Sequence, residues 1–158
     1  MNASVLRDFF LGRASAHELQ TDLIGTTEQT GHDSFRHHMT DLDDDFTVTR
    51  DHLVKLCDAV LAENLDPESL RMIGFGIIAS DHFEWSSDSP EGEIVGNTIY
   101  DWSSPEVNFA LNRATVAKFR HRLLTGENRF TRDDHFYGPE TNKRKRREEP
   151  DDQRPNNG

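Results

Sequence analysis

Apolar residues recur at helical spacing along most of the chain. The clearest stretch places Leu53, Leu56, Cys57, Val60 and Leu61 at i, i+3, i+4, i+7 and i+8, which is the pattern of a helix with one buried face. The same periodicity, bounded by capping residues, glycines and prolines, predicts further helical segments. They cover residues 4–11, 15–24, 35–42, 67–78, 90–102 and 112–125. The fold class is therefore predicted to be mainly α, a single-domain bundle of about six short helices.

Specific residues mark where several of these helices start and stop. Ser15 and Glu18 have the spacing of a capping box, and Asn112 is predicted to cap the last helix. Gly12 follows the first helix as a left-handed stop.

Gly74 and Gly76 fall inside a predicted helix, where each glycine costs up to about 1 kcal/mol relative to alanine. Close packing of a neighbouring helix would compensate for that cost. A dinucleotide-binding loop is the alternative, but the full G-x-G-x-x-G pattern and a preceding strand are missing.

The last twenty residues differ in composition from the rest. From Gly138 onward there are no large apolar residues, so this segment cannot bury enough surface to offset the entropy of ordering. The sequence therefore predicts an acidic helical domain over 1–138 and a disordered charged tail over 139–158. The basic run at 143–147 is interpreted as part of a solvated tail, with a nuclear-import or nucleic-acid patch as the alternative.

Charge is distributed unevenly along the chain. The formal net charge is −11, and residues 33–106 alone hold seventeen Asp/Glu against four Lys/Arg. Residues 107–132 hold six Lys/Arg against the single Glu127, and the last helix is expected to expose Arg113, Lys118, Arg120 and Arg122. Such a field attracts basic partners and repels nucleic acid from most of the surface. A contribution to solubility alone is the alternative.

Cysteine usage and hydropathy bear on the compartment. Cys57 is the only cysteine, so no intramolecular disulfide can form, and its apolar neighbours favour a buried residue over a nucleophile. No signal-peptide pattern is visible at the N-terminus. The longest apolar stretch, 72–79, is far shorter than the about 20 residues that a membrane span requires. A cytoplasmic protein without a membrane anchor is predicted.

Two groups of residues are of types that bind metals, but their spacing does not match a known calcium or zinc site. Asp41, Asp43 and Asp45 match the first ligand positions of a calcium loop, but Phe46 and His52 stand where that loop needs Gly and Glu. The pair at 37–38 consists of adjacent histidines, whose side chains would point about 100° apart on a helix. No zinc spacing is present. Neither a metal nor a cofactor is predicted.

Aromatic and acidic residues alternate between 81 and 93. Trp85 is flanked by Glu84, Asp88, Glu91 and Glu93. Two carboxylates could serve as general acid and base. Equally, Trp85 could anchor a partner whose Arg or Lys residues meet the acids. The third interpretation is a helix end whose aromatic side chains simply belong to the core.

The opening of the chain resembles a known family. Residues 5–19, VLRDFFLGRASAHEL, look like the first helical hairpin of small bacterial immunity proteins of the colicin D type. The resemblance implies an acidic helical inhibitor that covers the positively charged site of a ribonuclease toxin. A later block, DWSSPEVNF at 101–109, is similar to a segment of small bacterial proteins of unassigned function.

These observations favour an intracellular binding protein over an enzyme. The most concrete hypothesis is an immunity-type inhibitor whose carboxylates stand in for phosphates in the basic active site of a nuclease toxin. One alternative is a small hydrolase using carboxylate and His residues around 81–93. Another is a regulatory protein that contacts nucleic acid through its basic last helix and tail. The residues predicted to bind the partner are Asp41, Asp43, Asp44, Asp45, Glu84, Trp85, Asp88, Glu91 and Glu93.

Overall fold

The structure is a computed structural model, and it describes residues 1–24, 27–29, 35–37 and 39–136. The predicted tail over 139–158, with its basic run at 143–147, lies outside the described residues. His38 also lies outside them.

The described residues form six α-helices, which confirms the predicted mainly helical fold. Most of the observed bounds differ from the predicted ones by only one to three residues. The helices are α1 (Ala3–Phe10), α2 (Ala16–Leu23), α3 (Arg50–Leu61), α4 (Ser69–Ala79), α5 (Pro90–Ser103) and α6 (Arg113–Thr125).

Side-chain caps explain why these boundaries could be predicted. At α2 the Ser15 hydroxyl accepts from the Glu18 amide at 3.1 Å, and the Glu18 carboxylate accepts from the Ser15 amide at 2.7 Å. Asn112 caps α6 in the same way through the Thr115 amide at 2.9 Å. Gly12 and Gly126 end α1 and α6 with φ of 77° and 78°, conformations in which a side chain would be strained.

The core forms where α4 packs on α5 and α3 packs on α6. Trp102 and Phe119 are fully buried and meet edge to face with ring centroids 6.0 Å apart. Gly74 faces α5: a Cβ at this position would lie 2.9 Å from the carbonyl oxygen of Ile99. The predicted packing of a neighbouring helix against this glycine is therefore confirmed.

The predicted helix over 35–42 is wrong. Phe35–His37 is a strand, β2, that pairs antiparallel with β1 (Thr27–Gln29). Thr40 forms a parallel β-bridge with Asn2, in which it exchanges backbone hydrogen bonds with Met1 and Ala3 at 3.0 and 2.8 Å. Asp41 also accepts a hydrogen bond from the amide of Leu42 at 2.8 Å. An aspartate that bonds to its own backbone neighbours competes with helix formation.

Two very short strands connect distant parts of the sequence. Strand β3 (Phe46–Thr47) pairs in parallel with strand β4 (Phe83–Glu84), and Phe46 lies opposite Phe83. This pairing places the aspartate-rich loop at 41–45 beside the segment at 80–84. In the part of the chain that the structure describes, no helix combines the length and apolarity needed to cross a bilayer.

Candidate functional site

Two acidic segments meet where β3 and β4 pair. The amide of Phe46 donates to the carbonyl of His82 at 2.9 Å, and the amide of Val48 donates to the carbonyl of Glu84 at 2.8 Å. A third acidic stretch follows immediately, because residues 85–89 lead from β4 into the first turn of α5. The pairing therefore collects acidic residues from 41–45 and 81–93 in one region of the molecule.

Asp41 holds the two segments of this junction together through hydrogen bonds within the fold. One carboxylate oxygen accepts from the Ser80 hydroxyl and from the amide of Leu42. The other oxygen accepts from the amide of Asp81 at 2.9 Å. Burial alone would raise the pKa of Asp41, but these hydrogen bonds outweigh it and hold the pKa below its ordinary value. The calcium-like spacing of Asp41, Asp43 and Asp45 is thus interrupted by an aspartate already occupied within the fold.

Asp45 and His82 form the second link between the two segments. Asp45 Oδ1 lies 3.0 Å from His82 Nδ1. This hydrogen bond raises the pKa of His82 above its ordinary value, because it stabilises the protonated ring. His82 is therefore paired with a carboxylate at the edge of the acidic region.

Eight exposed carboxylates surround this junction and together form an acidic surface. Within the described residues, Glu91 has an ion-pair partner in Arg50, with Arg50 Nε 3.8 Å from Glu91 Oε1, and Asp45 has His82. The other six form no ion pair with any described residue. The acidic surface consists of Asp43, Asp44, Asp45, Asp81, Glu84, Asp88, Glu91 and Glu93.

Trp85 is half-buried beside the acidic surface. Its indole lies over Gly96 of α5, where a Cβ would come within 2.8 Å of the indole nitrogen. It also meets Tyr100 edge to face with ring centroids 6.3 Å apart. Trp102, in contrast, is a core residue with no exposed surface. Trp85 and Tyr100 are the aromatic side chains that a partner can reach here.

A cleft of about 170 Å³ lies between the start of α3 and the start of α5, and its lining is more apolar than polar. The residues that line it are Thr47, Val48, Thr49, Ser86, Ser89, Glu91, Gly92 and Val95. His82 and Glu84, which the hydrolase alternative requires at a shared pocket, do not line it.

The four cations predicted on the exposed face of α6 all have carboxylate partners, although Arg113 and Arg120 are exposed as predicted, at 58% and 40% of their side chains. Each makes an ion pair with a carboxylate: Arg113 with Glu63 at 2.8 Å, Lys118 with Asp134 at 2.6 Å, Arg120 with Asp58 at 2.6 Å and Arg122 with Asp101 at 2.8 Å. The side chain of Arg122 is only 12% exposed. It also lies over the rings of Phe119 and Phe130 at 5.2 and 5.4 Å.

The ion pair between Arg122 and Asp101 is largely buried and stabilises the packing of α5 against α6. Desolvation raises the pKa of Asp101, and the hydrogen bond from Arg122 opposes that rise. Arg122 also donates to the hydroxyl of Thr98 at 3.0 Å. The pair connects α5 to α6, so nucleic acid could not reach Arg122 without disrupting the fold.

Two further kinds of reactive group are a cysteine nucleophile and a cluster of metal ligands. Cys57 is fully buried, and this burial raises its pKa to about 12, so the reactive thiolate is scarce at neutral pH. Among the described residues, no group of three or more His, Cys, Asp or Glu side chains is arranged to hold a metal ion.

No protein-family model, curated protein or solved structure matches this chain.

Two functional features could not be found by reading the sequence. The role of Ser80 depends on hydrogen bonds to Asp41, which is 39 residues away in sequence. The exposure of Tyr100 depends on how α5 packs, because Ile99 and Trp102 on the same helix are completely buried. The sequence signal for Tyr100 is its spacing of four residues from Gly96, which places the two on the same face of α5.

Proposed function

We propose that this chain is an acidic binding protein that inhibits a basic enzyme, most concretely a nuclease toxin whose active site the acidic surface covers. The observation that carries the proposal is the separation of paired from unpaired charge. The cations of α6 are neutralised by carboxylates of the same chain, whereas six carboxylates of the acidic surface have no cation among the described residues.

Electrostatics explains why such a surface suits a basic groove. Unpaired carboxylates that crowd one region create a negative potential that attracts a cationic partner and speeds its encounter. A nuclease active site binds phosphates through Arg and Lys side chains, and carboxylates can occupy the same positions. Asp43, Asp44 and Glu84 project from a junction that Asp41 and His82 hold in place, which reduces the entropy lost on binding.

The resemblance of residues 5–19 to the immunity proteins of the colicin D type agrees with this proposal. In this chain those residues form α1 and the capped start of α2. They contribute buried residues such as Leu6 and Phe9 to the core, so they would support the binding surface without being part of it.

Affinity capture with matched charge variants tests the proposal. The tagged chain is used as bait in an extract of the organism that encodes it, at low and at moderate salt. We expect one basic protein to be enriched and to be released by salt. Purified, that protein should degrade RNA or DNA, and a stoichiometric amount of the chain should suppress this activity.

Variants that reverse charge show whether the acidic surface is responsible. Asp43→Lys with Glu93→Lys alters two unpaired carboxylates of the surface and should lower affinity by about tenfold or more. Glu68→Lys with Asp133→Lys makes the same change in charge at exposed positions elsewhere and should retain binding. Equal loss of affinity in the two variants would show that net charge, and not this surface, attracts the partner, and the proposal would then be wrong.

A further inference from the structure

An exposed apolar patch lies on the outer face of α4 and α5, next to the acidic surface. Phe75 is 44% exposed, Ile78 37% and Tyr100 55%. Trp85 adds a half-buried ring beside Tyr100. The aromatic patch is defined as Phe75, Ile78, Trp85 and Tyr100. Large apolar side chains that cluster at a surface commonly mark a site of protein interaction.

The α4 and α5 parts of the aromatic patch belong to one face of the molecule. Phe75 lines a groove of about 280 Å³ with Ser103 and Ser104, so the groove runs between the two helices. Ser103 shares a helical face with Tyr100 and with Gly96, which Trp85 covers. On α4, Phe75 and Ile78 are three residues apart and therefore neighbours on the helix surface.

Charge around the aromatic patch is uneven from one end to the other. At one end Glu84 adjoins Trp85, and Glu93 lies one turn before Gly96 on the same face of α5. At the other end Arg71 and Glu106 neutralise each other, with Arg71 Nη2 3.6 Å from Glu106 Oε2. A ligand that covers the patch therefore meets excess negative charge beside the aromatic rings and none at the far end of the groove.

We infer that the aromatic patch binds an amphipathic, basic helix of the partner, with its apolar side chains between α4 and α5 and its Lys or Arg residues on Glu84 and Glu93. This inference rests on the proposed function and names the chemistry of the segment that the partner supplies. The residues that flank the patch on α4, from Arg71 to Ile78, span about 10 Å along the helix axis. Those on α5, from Glu93 to Ser103, span about 15 Å. These lengths match two to three turns of a helix lying in a groove.

Three synthetic peptides of about 18 residues separate the apolar contribution from the electrostatic one. The first is a lysine/leucine sequence whose leucines share one helical face. The second has the same composition in an order that disperses the leucines, and the third is oligolysine with the same net charge. Calorimetry with the full chain at low ionic strength measures each dissociation constant. The amphipathic peptide should bind at least about tenfold more tightly than the other two.

Substitutions in the chain locate the binding site. Phe75→Ser with Tyr100→Ser should reduce binding of the amphipathic peptide to the level of the dispersed peptide and leave oligolysine unaffected. Leu124→Ser is the matched control, because Leu124 is similarly exposed, at 45%, but lies on α6. Glu93→Lys should weaken binding of all three peptides.

The outcomes distinguish this inference from the proposed function. Equal affinity for the amphipathic and dispersed peptides, or no effect of Phe75→Ser with Tyr100→Ser, would overturn the inference and leave the acidic surface standing. Failure of all three peptides to bind would count against both. If the wild-type chain dimerises in sedimentation experiments and the double variant is monomeric, the occupant of the patch is a second copy of the chain, which also overturns the inference.

Discussion

Asp41 links the aspartate-rich loop to the end of α4 through hydrogen bonds to Ser80 and to the amide of Asp81. Asp41→Ala should lower the free energy of unfolding by about 1 kcal/mol at neutral pH, because it leaves these donors without their acceptor. Denaturant titration measures the difference. Asp43→Ala removes an exposed neighbouring carboxylate that makes no such contact, and it should change stability by less than about 0.5 kcal/mol.

The pH dependence of the Asp41 effect follows from the direction of its pKa shift. Its pKa in the folded state is lowered, so the carboxylate stabilises the fold above its unfolded value of about 3.9. That contribution disappears as the pH falls through the folded-state pKa. The stability difference between the wild-type chain and Asp41→Ala should therefore shrink in acid, and a difference that stays constant down to about pH 2 would contradict the assigned role.

Two histidines should titrate in opposite directions from the ordinary value of about 6.5. The hydrogen bond to Asp45 raises the pKa of His82. Burial lowers the pKa of His52, whose Nδ1 accepts a hydrogen bond from the amide of Thr49 at 3.0 Å at the start of α3. Proton NMR of the imidazole signals measures both values. Asp45→Asn should return His82 towards 6.5 and leave His52 where it was.

The same shifts set opposite pH windows for stability. The His82–Asp45 contribution is present below the unfolded pKa of about 6.5 and is lost as the pH rises through the raised folded value. The contribution of His52 is present above about 6.5 and is lost as the pH falls through its lowered folded value. If the titration curves of the two rings coincided, the assignment of His82 as paired with a carboxylate and of His52 as partly buried would be wrong.

Packing of α4 against α5 depends on Gly74. Alanine has the higher helix propensity by about 1 kcal/mol, so an exposed glycine replaced by alanine would stabilise the helix. At Gly74, however, the added Cβ would lie 2.9 Å from the Ile99 carbonyl oxygen and 3.0 Å from the Ser103 amide nitrogen, both of which are backbone atoms. Gly74→Ala should therefore lower stability by about 1–3 kcal/mol, because the helices must move apart.

Thermal unfolding checks this prediction, with Gly76→Ala as the comparison. A Cβ at Gly76 would first meet the end of the flexible Met1 side chain, which can move. Gly76→Ala should therefore cost less than Gly74→Ala. A stabilising effect of Gly74→Ala would mean that α4 and α5 are less closely packed than the structure indicates.

Elements with local signals could be predicted from the sequence, and elements that depend on distant partners could not. The capping residues Ser15 and Asn112 lie next to the helices that they start, so the pattern located α2 and α6 closely. The strands β3 and β4 contain two residues each, which is too short for alternation to show. Their pairing depends on contacts between segments that are far apart in sequence.

The candidate surface was only partly predictable for the same reason. Acidic residues at 41–45 and 81–93 are visible in the sequence. Only the fold reveals that Asp41 and Asp45 hold the junction together, while Asp43 and Asp44 form no ion pair with the part of the chain that the structure describes. The face of α6 exposes Arg113 and Arg120 as predicted, but the sequence did not show that Glu63 and Asp58, from α3 and the residues just after it, form ion pairs with them. Charge along one segment does not indicate which charges a neighbouring element neutralises.

At the scale of the whole molecule, the carboxylates of the acidic surface should lower the stability of the fold. Like charges gathered on one surface repel each other in the native state and are farther apart in the unfolded chain. Neutralising four of them, by Asp43→Asn, Asp44→Asn, Glu84→Gln and Glu93→Gln, should raise the midpoint of thermal unfolding by about 1–3 °C at low ionic strength. Added salt should remove the difference, because it screens exposed charges.

The matched control neutralises carboxylates that the fold does pair. Asp58→Asn with Glu63→Gln removes the partners of Arg120 and Arg113 and should lower the midpoint slightly or leave it unchanged. If the four changes on the acidic surface lowered the midpoint as well, those carboxylates would be stabilising the native chain through contacts of their own. Substitutions that optimise surface charge are easy to find, so carboxylates kept at a cost to stability would indicate selection for another property, such as the proposed binding of a partner.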